Sequence, residues 1–158
     1  AIKVAGDVMD HDIQNWFRNN HRLEIGDRTA EQIKIAVGSA MRSRSKNILV
    51  KGRDLVSGIP KTIDVRSDEI RQALKDSVKR ILEVVKDALE STPPELSSDI
   101  IDRGILVAGG GAQLRGLDQV IREKTNVPCN VVEEPHLAIV KGCGKIIEDL
   151  EKYKHVLI

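Results

Sequence analysis

The stretch GILVAGGGAQLRGL, Gly104 to Leu117, sets an apolar run against three consecutive glycines and then an amphipathic run. Each glycine gives up side-chain burial and costs about 0.5–1 kcal/mol of ordering entropy relative to alanine. Three together predict a chain that bends sharply or lets something approach its main chain. The last third of the sequence builds on this unit: strand Ile105 to Ala108, glycine turn, helix from about Ala112 to Thr125, strand Asn130 to Val132, and a helix from about Leu137 to Tyr153. Such alternation predicts an α/β layer whose strands are covered by helices. Gly142 and Gly144 sit inside the last helix, where each costs about 1 kcal/mol against alanine, so a second helix is expected to cross there at close range.

The preceding residues read as helices around a hairpin. A short strand, Ile2 to Val4, leads to a helix capped by Asp7 that runs to about Asn20 and buries Ile13, Trp16 and Phe17. Asp7, Asp10 and Asp12 resemble a metal cluster in composition, but Asp10 and Asp12 point in opposed directions on a helix, and capping is the expected role. Thr29 and Gln32 have the spacing of a capping box, which starts a second helix at Ala30 and ends it near Gly38. Ala30, Ile33, Ala36, Val37 and Ala40 form its inner face. Glu31 and Lys34 share one edge, which on spacing alone reads as a surface ion pair. From Asn47 to Val65 the pattern becomes β-branched and alternating, a hairpin preceded by the cationic loop MRSRSK. One long helix follows, capped by Ser67, apolar at helical spacing from Ile70 to Leu89 and stopped by Pro93 and Pro94.

Composition narrows the functional classes. With 158 residues, 41% of them hydrophobic, the chain builds a core without disulfides or metal. Its 25 basic and 24 acidic side chains give a net charge of +1, so no global field favours nucleic acid or anionic lipid. The cationic loop has no aromatic to stack a base and reads as a solvated connector. Cys129 and Cys143 form no CxxC or His pairing, which fits a reducing compartment. The sequence opens inside a strand without methionine, which is expected of a fragment of a longer chain.

A glycine turn between a strand and a helix suits a nucleotide, because backbone N–H groups and the positive end of the helix dipole face the ligand. The segment is neither a P-loop nor a Rossmann fingerprint: Leu114 stands at the third glycine position, and GCGK lacks the earlier glycine and the following hydroxyl. The four histidines are scattered, no G-x-S-x-G elbow exists, and Cys143 falls on the apolar face of the last helix as a core residue. No catalytic or metal site is self-contained here.

Six blocks, VAGDVMDHDI, GDRTAEQIKIAVGSA, GRDLVSGIPKTIDV, TPPEL, DIIDRGILVAGGGAQLRGLD and GCGK, occur in the order and spacing of the MreB family, the bacterial actin-like cell-shape proteins. The resemblance covers nearly the whole chain and corresponds to the second half of the family's ATPase domain. Ala108 departs from the family's usual threonine, and MRSRSK replaces a loop that is often acidic. The resemblance implies an α/β fold, domain II of an actin-like (ribonuclease H-like) ATPase, with a smaller inserted α+β subdomain. Residues 1–26 and 98–158 would form the sheet-and-helix subdomain IIA, and residues 27–97 subdomain IIB.

The resemblance further implies ATP or ADP in a cleft between two large domains, with magnesium in the full-length protein. On this half Glu31 and Lys34 would meet ribose and adenine, and Gly109, Gly110, Gly111 and Ala112 the adenosine-phosphate side. The magnesium-linked and water-activating residues and the membrane anchor belong to the other half. This chain alone is therefore expected not to hydrolyse ATP and to bind it weakly, although the full-length family is a weak ATPase. Implied partners are further copies of the protein in a filament, the other half of the same protein and the RodZ-type membrane shape protein, with no nucleic acid. The implied location is cytoplasmic, as filaments at the inner face of the cell membrane, guiding wall synthesis. KGCGK matches the segment where one connecting helix crosses its partner from the other half. Two other classes remain: a chaperone-type actin-fold nucleotide-binding domain, and an interaction module whose glycines serve packing alone.

Overall fold

A computed structural model describes residues 4–42, 44 and 46–156. Most of the strand expected over 2–4, and part of the cationic loop, lie outside the described residues. Helix α1 spans Gly6–His21, strand β1 Leu23–Glu24, helix α2 Asp27–Val37, and strands β2 and β3 Asn47–Asp54 and Pro60–Arg66. Helices α3, α4 and α5 cover Ser67–Ala73, Lys75–Glu90 and Pro94–Arg103. Strand β4 (Ile105–Val107), a 3-10 turn (Gly110–Gln113), α6 (Leu117–Thr125), β5 (Cys129–Val131) and α7 (Ala138–Glu148) follow. A short 3-10 turn, Lys154–Val156, comes last.

Two sheets form. The hairpin β2–β3 is antiparallel, with Val50 opposite Ile63, and β1 extends it by pairing Leu23 with Asp54. Pro60 opens β3 as its first residue, where a missing N–H is tolerated. Strands β4 and β5 pair in parallel through the α6 crossover, as a parallel pair requires. One contiguous core runs through Met9, Ile13 and Phe17 of α1, Ala30, Ile33 and Val37 of α2, and Val50 and Val65 of the hairpin. It continues through Ile70, Leu74 and Val78 to Leu114, Ile121 and Cys129.

Local signals fail where tertiary contacts fix a different start. Asp7 does not cap α1: Ala5, in extended backbone, takes that position, and Asp7 lies in the first turn, its charge facing the dipole. Asp10 is not a cap either; it pairs with Lys34. The Thr29–Gln32 box does not open α2. The helix starts three residues before Ala30, at Asp27, where Gln14 of α1 donates to Ile25 O (3.1 Å) and Asp27 Oδ1 (2.9 Å). Ala36 is exposed, so the inner face of α2 is narrower than expected, and Trp16 is half-buried while Met9 is buried in the core.

Ser67 does not cap the following helix. Its hydroxyl accepts the Lys46 N–H at 3.1 Å, and the Glu69 carboxylate accepts the Arg66 N–H at 3.1 Å. The single long helix is two, broken at buried Leu74 (ψ −5°) between Ile70 and Val78, both of which reach the core. Ala88 is exposed. Pro94 both stops one helix and starts the next as its first residue, so α5 occupies a stretch expected only as a lead into the strand. The helix expected from Ala112 starts at Leu117 instead, because Gly116 adopts φ +75° immediately before it. The last helix ends at Glu148, not Tyr153.

Helix α7 buries no residue, Cys143 is exposed, and nothing among the described residues comes within 4 Å of a Cβ built at Gly142 or Gly144. The expected close helix crossing and the expected core cysteine are therefore absent among the described residues. No described helix is long and apolar enough to cross a membrane.

Candidate functional site

A cleft of about 390 Å³ opens between α2, the start of α1 and the glycine turn. Glu31, Lys34 and Ile35 line one side, Gly110, Gly111 and Arg115 another, with Gly6 between them. Four of the six residues singled out in the sequence thus share one concave surface. Gly109 and Ala112 are not on its lining. Gly109 takes φ +90° and donates its N–H to Pro135 O at 2.7 Å, while Ala112 turns inward and is buried.

Lys34 is not paired with Glu31. Its Nζ donates to Asp10 Oδ2 at 2.8 Å and to Gly6 O at 3.1 Å, with both charged side chains largely buried. This ammonium therefore ties α2 to the start of α1. A Cβ at Gly6 would stand 3.2 Å from the same Nζ, so the close approach of the two helices belongs to the site. Asp10 Oδ1 is buried without a hydrogen-bond partner. Asp12 turns away and accepts the Ser77 hydroxyl of α4, as opposed positions on a helix require. The three aspartates hold no metal cluster, and no metal-binding group of three or more His, Cys, Asp or Glu occurs among the described residues.

Glu31 is exposed and outside the Lys34 pair, so its carboxylate is the acceptor on the α2 side of the cleft; exposed Asp7 at the start of α1 is a second carboxylate on the lining. Ile35, one turn further on the same face, is 71% exposed, an apolar side chain held open beside it. Across the cleft, Cβ atoms built at Gly110 or Gly111 would meet nothing within 4 Å. Those glycines are not forced by packing; they leave bare backbone facing free space. As the first residues of a 3-10 turn, their N–H groups have no acceptor within it. The chemistry on offer is recognition: a carboxylate for hydroxyl donors, an apolar platform for a flat ring, and bare amides.

Ile35, Arg115 and Gly6 carry no site signal in the sequence, and Asp10 is legible there only as a helix-start carboxylate or metal candidate. Periodicity turns Ile35 away from the buried face of α2 without saying that a cleft lies there, and no local pattern marks Arg115. Pairing of Asp10 with Lys34 has no local signature, since they lie on different helices. Cys129, buried under α6, has its thiol pushed up by burial and by the nearby Asp118 carboxylate, which leaves it a packing residue.

The MreB/Mbl protein family model matches residues 1–155. The cell shape-determining protein Mbl of Bacillus subtilis is 46% identical over 153 residues, 96% of this chain and 46% of the relative. The cell shape-determining protein MreB of Escherichia coli is 40% identical over 154 residues, 97% of this chain and 44% of the relative. The chain thus spans about half the length of these curated relatives. Among solved structures, MreB5 of Spiroplasma citri bound to ADP superposes with a TM-score of 0.91 at 34% identity, over 98% of this chain and 47% of that one. A MamK double helical filament superposes with a TM-score of 0.78 at 23% identity, which speaks to the fold alone. The fold is actin-like, and the chain belongs to the MreB/Mbl family.

Proposed function

We propose that this chain supplies the adenosine-side wall of a nucleotide cleft in an actin-like cytoskeletal protein that polymerises into filaments and maintains rod cell shape by guiding wall synthesis. The observation that carries the reading is the shared cleft: Glu31 and Lys34 on α2 face Gly110 and Gly111 of the turn after β4. In this reading Glu31 accepts from ribose hydroxyls, Ile35 lies under the base, and the nucleotide backs onto the bare main chain of Gly110 and Gly111. Lys34 contributes its stem and holds the floor, its ammonium being committed to Asp10 and Gly6. Gly109 and Ala112 act one step removed, by shaping the turn. Structures of MreB5 of Spiroplasma citri bound to ADP and to AMPPNP support this reading.

ATP or ADP is the proposed ligand, with magnesium held by residues of the other half. Self-association into filaments, engagement of a RodZ-type membrane shape protein and a position at the inner face of the membrane belong to the same proposal. The chaperone-type alternative is not favoured, since the relatives matched carry cell-shape names. Calorimetric titration of ADP into the full-length protein tests the site. Glu31→Gln is expected to weaken binding about tenfold, the size of one charge-assisted hydrogen bond. Unchanged affinity in that variant would remove Glu31 from the site.

A further inference from the structure

We propose that Arg115 is a positioning residue, the pin of a main-chain strap that fixes how far the two walls of the cleft stand apart; this rests on the nucleotide reading above. Arg115 lies four residues beyond Gly111 and lines the same cleft. Its guanidinium reaches across to the end of α2: Nη2 donates to Ala36 O at 2.6 Å and Nε to Gly38 O at 3.2 Å. Ala36 lies in the last turn of α2 and Gly38 is the residue that caps it, at the end where a helix leaves acceptors unsatisfied and favours a cation. One planar side chain therefore holds the helix that carries Glu31 and Lys34 to the turn that carries Gly110 and Gly111.

The main chain around Arg115 completes the joint. Its carbonyl accepts the Ala40 N–H at 2.8 Å and the Ser39 hydroxyl at 3.2 Å, and Ser39 bridges Arg115 in parallel. Ser39 is buried, and its single hydroxyl hydrogen is shared between that carbonyl and Met41 O, the nearer acceptor at 2.8 Å. Residues 38–41 thus run beside 114–116 with glycines where the two segments press together. A Cβ at Gly38 would lie 3.3 Å from Leu114 Cδ1 across the joint, and 2.3 Å from Lys34 O of the helix that Gly38 ends. One at Gly116, already at φ +75°, would lie 3.0 Å from Met41 Cγ. A joint built from backbone bonds and close-packed glycines has little play, so the cleft is held open at a set width before any ligand arrives. Holding a site in its bound geometry raises affinity by removing the cost of ordering it.

The test is ligand affinity in the full-length protein, measured well below its melting temperature so that the folded fraction is not the cause. Arg115→Ala is expected to weaken AMP and ADP by the same factor, about tenfold, because the strap acts on the wall and not on a phosphate. Arg115→Lys, which cannot span both carbonyls, should also weaken both. Ser39→Ala removes the hydroxyl bonds at the other side of the joint and serves where an Arg115 variant fails to fold. Hydrogen exchange at the Ala40 amide should quicken in each variant. Unchanged affinity with a quickened Ala40 amide would overturn the proposal, as would a loss confined to ADP, which would make Arg115 a direct phosphate contact. If Glu31→Gln weakens ADP and the Arg115 variants do not, the strap fails and the nucleotide reading stands. If the wild-type protein binds neither nucleotide, the nucleotide reading fails and the strap loses its role with it.

Discussion

Lys34 illustrates how far a residue's role depends on its partner. Spacing along α2 offers Glu31 as its counter-ion, yet the ammonium turns to Asp10 on α1, 2.8 Å away and largely shielded from water. Shielded pairs are costly to break because the orphaned charge keeps its desolvation penalty. Lys34→Met is therefore expected to destabilise the protein by about 1–3 kcal/mol, the cost of leaving a buried acceptor unsatisfied, read by urea denaturation, with Asp10→Asn less than additive to it. Full additivity would show the two side chains to be uncoupled. Asp54 at the hairpin tip makes a different use of charge. Its carboxylate accepts the Ser57 and Val56 N–H groups at 3.0 and 2.9 Å and pairs with Lys61 at 3.0 Å. The Ser57 amide first, then Lys61 and Val56, hold Asp54 well below the usual carboxylate range. A lowered folded-state value means that the stabilisation is fully present above the unfolded value of about 4. It is lost as pH falls from there through the lower, folded one. An NMR titration should place the Asp54 midpoint below that of a free aspartate; an ordinary midpoint would discount the tip hydrogen bonds.

At the scale of elements, glycines separate into those required by packing and those that are not. Gly104 joins α5 to β4 at φ +78°, and a Cβ there would lie 2.6 Å from Pro128 O, next to the bond from the Ile105 N–H to the same oxygen at 2.7 Å. Gly104→Ala is expected to cost at least about 2 kcal/mol, combining the left-handed penalty with overpacking, and to separate β4 from β5. Loss of less than half of that in thermal denaturation would mean that the strand entry is soft. Gly142 is the opposite case: it is helical, with open space around it among the described residues. In this chain alone Gly142→Ala should stabilise by up to about 1 kcal/mol through helix propensity. A loss of stability there would reveal a packing partner for α7 within the chain itself.

Over the whole molecule, the core and the uncovered surfaces divide the chain's work. The interior joins α1, α2 and the hairpin to α6 and β5 as one cluster, while α5 and α7 bury no residue at all. Leu106 on β4 and Ile139, Val140 and Ile147 on α7 are more than half exposed. These side chains leave apolar surface that no described residue covers. The isolated chain is accordingly expected to release no phosphate from ATP and to bind ADP far more weakly than the full-length protein. Tight binding would place the whole nucleotide site within this chain, and turnover the catalytic apparatus as well.

Much of this protein is written locally. Alternation marks the hairpin, helical spacing marks the buried faces of α1 and α2, and the glycine turn after β4 identifies bare backbone where a ligand can approach. The resemblance to cell-shape proteins adds Glu31 and Lys34 to that turn. What local pattern does not contain is direction and partner. Gln14 moved the start of α2, Leu74 split one helix into two, Gly116 delayed α6, and α7 found no neighbour among the described residues. The same holds at the cleft. That Glu31 faces Gly110, that Lys34 is taken by Asp10, and that Arg115 ties the two walls together depend on residues distant in sequence meeting in space. Side-chain spacing encodes which face of an element is apolar; only packing between elements decides what that face, and each charge upon it, will meet.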